Sequence, residues 1–296
     1  MTDAAFNAAI VEAADEPVES LARRALRRLV RRKGAMLGLA VIVLFVLLAM
    51  LAPLIAPYDP TAQSWTAVRK PPTLAHPFGT DDVGRDILAR IIFGARASLL
   101  AGVISVAIAL SIGVPLGLAA GYVGGFLDAV ISRLTDAMLA IPFLILAIAL
   151  AAFLGPSLRN AMIAIGVSTT PIFIRLTRGQ VMVVKVDDYV EAARAVGNPP
   201  WRVVLVHILP NILPALLVQA SLSIAAAIIA EAALSFLGLG QQPPSPSWGS
   251  MLNTAKNYID NAPWMAIWPG VCIFLLVLSF NLLGDGLRDA LDPKER

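Results

Sequence analysis

With 58% of its 296 residues hydrophobic, only 15% charged and a mean hydropathy of +0.77, the chain has too little polar surface to cover a soluble globule and belongs in a bilayer. Hydrocarbon offers the backbone no hydrogen-bond partners, so apolar runs of about 20 residues must be helices, and the short alternating segments of a β-barrel are absent. The single cysteine, Cys272, lies in an apolar run, which excludes an intrachain disulfide or thiolate metal site; the net charge of +3 comes from basic residues beside apolar runs, which excludes a nucleic-acid surface.

Residues 1–20 are acidic and small, lack a secretory signal and read as a cytoplasmic tail. Over 21–34, Leu21, Ala25, Leu26, Leu29 and Val30 share one helical face and Arg23, Arg24, Arg27, Arg28, Arg31 and Arg32 the other, the pattern of a basic helix resting on an anionic lipid leaflet. A first span is expected at 35–56, followed by a polar, proline-bearing loop that runs to residue 98. That segment ends in a short amphipathic surface helix marked by Ile87, Leu88, Ile91 and Ile92, and Thr80 to Asp82 read as a turn and helix N-cap. The same residues, with His76, are the one conceivable metal set; one histidine and two adjacent carboxylates favour the turn, and no metal site is assigned.

Further spans are expected at 99–120, 137–154, 161–181, 212–236 and 265–283, giving an all-α polytopic membrane protein with six transmembrane helices and both termini cytoplasmic. On this topology sixteen Lys and Arg residues fall inside and seven outside, as the positive-inside rule requires. The organisation is then an acidic tail (1–20), a basic interfacial helix (21–34), the first span with its external loop (35–98), a five-helix core (99–286) with a cytoplasmic loop at 182–211, and a C-terminal tail (287–296). Small residues such as Gly113, Gly117 and Gly121 on and just after the second span allow backbones to approach closely.

The polar passage EAARAVGNPPWRVVLVHILPN, residues 191–211, interrupts the apolar pattern. Glu191, Ala192 and Ala193 open a helical turn, Gly197 ends it at positive φ, and Pro199-Pro200 prevents its continuation. A second helix starts at Trp201 and bends at Pro210 and Pro214. The charge count puts this knob in the cytoplasm, where it suits a partner's cleft.

No Gly-Lys-Ser or Gly-Lys-Thr occurs, so the chain lacks the usual phosphate-binding loop and energy for transport must come from elsewhere. Asp128, Arg133 and Asp136 lie at the inner approach to the third span. Glu231, about 30 Å along a helix from Asn211, falls near the outer interface, either as a structural acid or as part of a substrate path. An ion-coupled carrier therefore has no convincing mid-membrane acid. A membrane hydrolase has no nucleophile elbow, and the two histidines, His76 and His207, lie on opposite sides; His207 reads as a structural hydrogen-bonding group at the helix corner.

Glu191-Ala192-Ala193, then Gly197, then His207-Ile208-Leu209-Pro210 resembles the EAA signature of permease subunits of bacterial ABC importers. HPFGTDDVGRDILARIIFGARASL from His76, EAALSFLGLG from Glu231 and SWGSML from Ser247 are similar to the C-type permeases of its dipeptide/oligopeptide/nickel branch, over roughly residues 21–291. His207 replaces a residue often aliphatic in the wider superfamily. The resemblance implies a multi-pass subunit of the bacterial cytoplasmic (inner) membrane that is not itself an enzyme. It pairs with a homologous permease, two ABC ATPase subunits and a periplasmic or lipid-anchored solute-binding protein; ATP and Mg bind the ATPases, leaving this chain without a cofactor. The implied ATPase-docking residues are Glu191, Ala192, Ala193, Gly197, Asn198, Pro199, Pro200, Trp201, His207, Leu209 and Pro210. Trp248 and Trp264 are candidates for the binding-protein contact. The resemblance leaves the cargo open among di- or oligopeptides, nickel chelates and other small solutes.

Overall fold

The computed structural model describes residues 21–291, so the acidic tail at 1–20 and the last five residues lie outside it. The described chain holds helices and loops, and its nearest approach to a strand is an isolated bridge between Thr80 and Asp86. Helix α1 (Leu21–Arg31) is separated from α2 (Lys33–Met50) by Arg32, whose extended backbone breaks the helix where charge gives way to an unbroken apolar run. A single turn, α3 (Ala52–Ile55), has Pro53 as its second residue and leads into the loop.

Helix α4 (Ile87–Val123) corrects two expectations. The amphipathic surface helix and the second span are one continuous element of 37 residues, and its N-cap is Asp86, which accepts the Ala89 N–H at 2.7 Å, instead of a residue at 80–82. At about 1.5 Å per residue such a helix is far longer than the roughly 30 Å hydrocarbon core, so its first turns stand beyond it. The third span also departs from expectation. It is broken into α5 (Gly125–Leu139) and α6 (Phe143–Leu154), bent by 91° about a junction that contains Pro142. At 12 residues, α6 is too short to cross alone.

Helix α7 (Leu158–Val184) starts at the Ser157 N-cap, whose hydroxyl accepts the Asn160 N–H. It is followed by α8 (Asp188–Ala195), the long α9 (Pro200–Phe236), α10 (Trp248–Ala255) and α11 (Trp264–Leu291). Residues 287–291, expected in a tail, continue α11. Among the described residues α2, α4, α9 and α11 are long and apolar enough to cross a membrane, and the bent α5–α6 pair is a fifth candidate. The sixth expected span rests on α7, which has the length but carries Arg159, Arg175 and Arg178.

Helices α4 and α7 run parallel and make the most extensive contact in the molecule. Gly113, Gly117 and Gly121 present bare backbone to Thr170, Ile174 and Arg178 in register; a Cβ on Gly117 would lie 2.6 Å from Thr177 Cβ and 2.8 Å from the Ile174 carbonyl oxygen. One core gathers side chains of α4, α6, α7, α8 and α9, and a second those of α2, α4, α9, α10 and α11. The bundle thereby has two distinct ends. At the loop end, Arg96 donates to the Ala49 and Met50 carbonyls at the close of α2, and Arg90, almost fully buried, donates to Pro60 O at 2.8 Å and approaches Asp81. At the other end lie the start of α2, the close of α4, α8 and the close of α11, where Arg32 pairs with Asp289 at 3.4 Å.

Candidate functional site

Helix α8 is a local product of its sequence. Asp188 and Glu191 occupy the first turn, where negative charge opposes the helix dipole favourably, and Arg194 occupies the last. It therefore begins three residues before the expected opening at Glu191. Its end follows the Schellman pattern: Gly197 at φ 84°, Gly197 N–H to Arg194 O at 2.9 Å and Asn198 N–H to Ala193 O at 3.3 Å. The Asn198 side chain adds a second donor to Ala193 O at 2.9 Å. Pro199 and Pro200 follow, and Pro200 opens α9 at a position where the missing N–H has no cost.

The register of α8 divides it cleanly. Val190 and Ala193 are buried, and Val190 joins the core with Val203, Ile208 and Ile212 of α9. Glu191, Ala192, Arg194 and Gly197 are exposed, as are Pro199 and Pro200. Around them stand apolar side chains without cover in this chain: Val186, Tyr189, Val196 at 84% exposure and Trp201 at 64%. An apolar rim of this kind on a polar connector is a surface suited to contact with another protein or with the membrane interface.

Sequence reasoning placed a second helix here but missed its form. Val203–Ile208 is π-helical, with Leu209 N–H bonding back to Val204 O, before α-helix resumes. Such one-turn bulges cluster at functional sites, and this one carries the face on which α8 rests. A weak signal was present: Pro210 and Pro214 lack the N–H groups a regular ladder requires. His207 is half buried, and the hydrogen bond at this corner comes from its backbone carbonyl, which accepts Asn211 Nδ2 at 2.7 Å, in place of the expected ring contact. Leu209 is half buried and Pro210 exposed. Two further ties, to the last turn of α4, were not anticipated: Lys185 Nζ donates to Gly121 O at 2.9 Å, and the Arg194 guanidinium lies 5.1 Å from the centre of the Tyr122 ring.

The remaining candidates lie at the loop end. Glu231 is fully buried on α9, accepts from Ser98 Oγ at 3.1 Å and Ser235 Oγ at 2.7 Å, and has the Ser247 hydroxyl beside it. Trp248, expected to meet a binding protein, is corrected by its burial: it is fully enclosed, its Nε1 donates to Ile91 O at 3.1 Å, and its ring meets Phe45 edge to face. As the first residue after the Ser247 cap it is drawn inward with α10. Trp264 is half buried, with Nε1 directed at Thr80 O at 3.3 Å. His76 Nδ1 pairs with Asp86 at 2.8 Å, whereas Asp81 and Asp82 face Arg85. Of this conceivable metal set, His76 is thus taken up by Asp86, while Asp81 and Asp82 share Arg85.

Residues 113–296 match the family described as binding-protein-dependent transport system inner membrane component, and residues 20–72 match the N-terminal TM domain of oligopeptide transport permease C. The chain belongs to the first of these families: it is a multi-pass membrane permease subunit of an ABC importer, a transport component and not an enzyme, and ATP hydrolysis belongs to partner subunits of the complex. Within that class it is similar to the dipeptide transport system permease protein DppC of Escherichia coli (strain K12), 51% identical over 89% of this chain and 90% of the relative. It is 48% identical to the dipeptide permease DppC of Alkalihalophilus pseudofirmus, over 92% of this chain and 90% of that one. It is also 46% identical to the glutathione transport system permease protein GsiD of Shigella flexneri, over 90% and 89%. The fold resembles that of the MetNI methionine ABC transporter in inward-facing conformations, with a TM-score of 0.58 and 20% identity over 70% of this chain and 98% of that chain.

Proposed function

We propose that the chain is the C-type permease of a bacterial importer for dipeptides or short oligopeptides. It crosses the cytoplasmic membrane six times with both termini inside and forms the path with a homologous permease. Two ATPase subunits, which bind ATP and Mg, dock on α8 and the Pro199–Trp201 corner, and a periplasmic or lipid-anchored binding protein delivers cargo to the loop end. The observation that carries this reading is the uncovered apolar rim of Val186, Tyr189, Val196 and Trp201 around α8, a helix whose opposite face is buried. The charge bias supports the orientation, with basic residues concentrated at the end bearing α8. The names of the relatives, for dipeptides and glutathione, support short peptides over nickel chelates as cargo.

Closure of the ATPase pair displaces α8, and the π-helical turn beneath it lets α9 yield by rotation instead of breaking, so that a small shift at the connector end becomes a tilt of a long helix. The test is peptide uptake in membrane vesicles with Gly197→Val and Glu191→Ala variants. A side chain in the left-handed region costs about 1–2 kcal/mol, so Gly197→Val displaces the corner; uptake should fall roughly tenfold and the binding protein should no longer stimulate ATP hydrolysis, while the chain remains inserted. Unchanged uptake and unchanged stimulation would overturn the docking assignment.

A further inference from the structure

The contacts of α8 with α4 are not required by a lever that acts on α9 alone. Tyr122 packs against the core at the last turn of α4, and Arg194 of α8 covers its ring. Lys185, in the connector just before α8, donates to the Gly121 carbonyl, one of the unpaired acceptors at that helix end. Immediately beyond comes the junction of α4 and α5, where Gly124 and Gly125 have φ of 71° and 59° and neither faces any atom within 4 Å of a built Cβ. The junction is free of packing on the side a Cβ would occupy, so it can turn. Past it, α5 is held by Ile131 against Ala120 and Ile174, and by two ion pairs to α7, Asp128 with Arg178 and Asp136 with Arg175. Helix α5 is in turn one arm of the 91° bend with α6. The last turn of α4 thus lies between α8 and the glycine pair.

We propose that Arg194 and Tyr122 form a second mechanical link, through which movement of α8 turns α5 about the Gly124–Gly125 junction while α9 is driven separately. This rests on the reading that ATPase subunits dock on α8. A cation over a ring is suited to the task, since it resists separation but permits sliding across the ring face. Arg194 and Tyr122 are positioning residues in this account; neither touches cargo.

The test uses the full complex with its ATPases, in a Cys272→Ser background. Spin labels replace Phe126 on α5 and Phe274 on α11 in one sample, and Leu205 on α9 and Phe274 in another, all three being exposed positions. Label separations are measured without nucleotide and after trapping with ATP and vanadate. With Arg194 and Tyr122 intact, trapping should change both separations. With Arg194→Gln or Tyr122→Leu the α5 change should be lost and the α9 change kept, and Tyr122→Phe, which keeps the ring face, should restore the α5 change. An α5 change that persists in both disruptive variants, that is absent with the link intact, or that Tyr122→Phe fails to retain would overturn the link. If the ATPases do not co-purify with the intact chain, the docking assignment itself fails, an outcome distinct from any loss confined to α5.

Discussion

Glu231 shows how one residue holds three segments together. Its carboxyl joins Ser98 of α4, Ser235 of its own helix and the Ser247 cap of α10, and it is shielded from solvent by its own chain. Of the two readings open from sequence, a structural acid or a group lining the path, the enclosure supports the structural one. Glutamine keeps the shape and an acceptor oxygen, and serine hydroxyls can accept from its amide, so Glu231→Gln should leave thermal unfolding in detergent nearly unchanged. Glu231→Leu removes the acceptor of the Ser98 and Ser235 O–H groups, although Ser235 Oγ still accepts the Gln241 N–H; at about 1–3 kcal/mol for a buried group left unpaired, it should unfold at clearly lower temperature. Equal stability of the two variants would contradict the structural role. The same scale explains the correction at Trp248: a tryptophan after three prolines and two serines reads as exposed, and only the Ser247 cap and the gap beside Gly94 show that it turns inward.

At the scale of elements, the contact of α4 with α7 depends on absent side chains. Gly117→Val has to displace Thr177 and the Ile174 carbonyl, and overpacking of this kind costs about 1–3 kcal/mol. Gly179, on α7, meets nothing within 4 Å, so Gly179→Ala serves as the control that tests helix propensity alone. Thermal unfolding should fall for the first and hold for the second; an undisturbed Gly117→Val would mean that the two helices do not pack as described. The existence of the long helices was legible from their apolar runs, because lipid leaves the backbone no other choice. Their limits were less so. Asp86 was passed over as a cap because Thr80, Asp81 and Asp82 offered a stronger local pattern, but Asp81 is occupied by Arg85 and the Val83 and Arg85 N–H groups. The 91° bend was hidden because Ile141-Pro142 falls within the apolar run that reads as a single span at 137–154, behind an approach carrying Asp128, Arg133 and Asp136. The π-helical turn has no distinctive composition beyond the prolines after it.

For the whole molecule, the arrangement separates two kinds of surface. The loop end is a fixed cap, with Arg90 and Arg96 binding backbone carbonyls across segments and Phe78 stacked on Trp268 at 3.9 Å. The opposite end gathers α8, the glycine junction and the ion pairs of α5, and it carries the uncovered apolar rim. The knob itself was readable in sequence because Gly197 and the proline pair force a corner between two apolar runs. Its footing was not, since Val190 and Ala193 differ from their exposed neighbours only in register, and the contacts with Tyr122 and Gly121 join residues more than sixty positions apart.

The central claim is that the α8 corner receives the ATPase, and site-directed crosslinking in membranes tests it most directly. In a Cys272→Ser background, a photoreactive maleimide is attached to Ala192→Cys on α8 or to Trp65→Cys in the loop, both exposed positions at opposite ends of the bundle. The account predicts that the ATPase subunit is captured from Ala192→Cys and not from Trp65→Cys. Capture from Trp65→Cys, or from neither in a complex that still hydrolyses ATP, would contradict it.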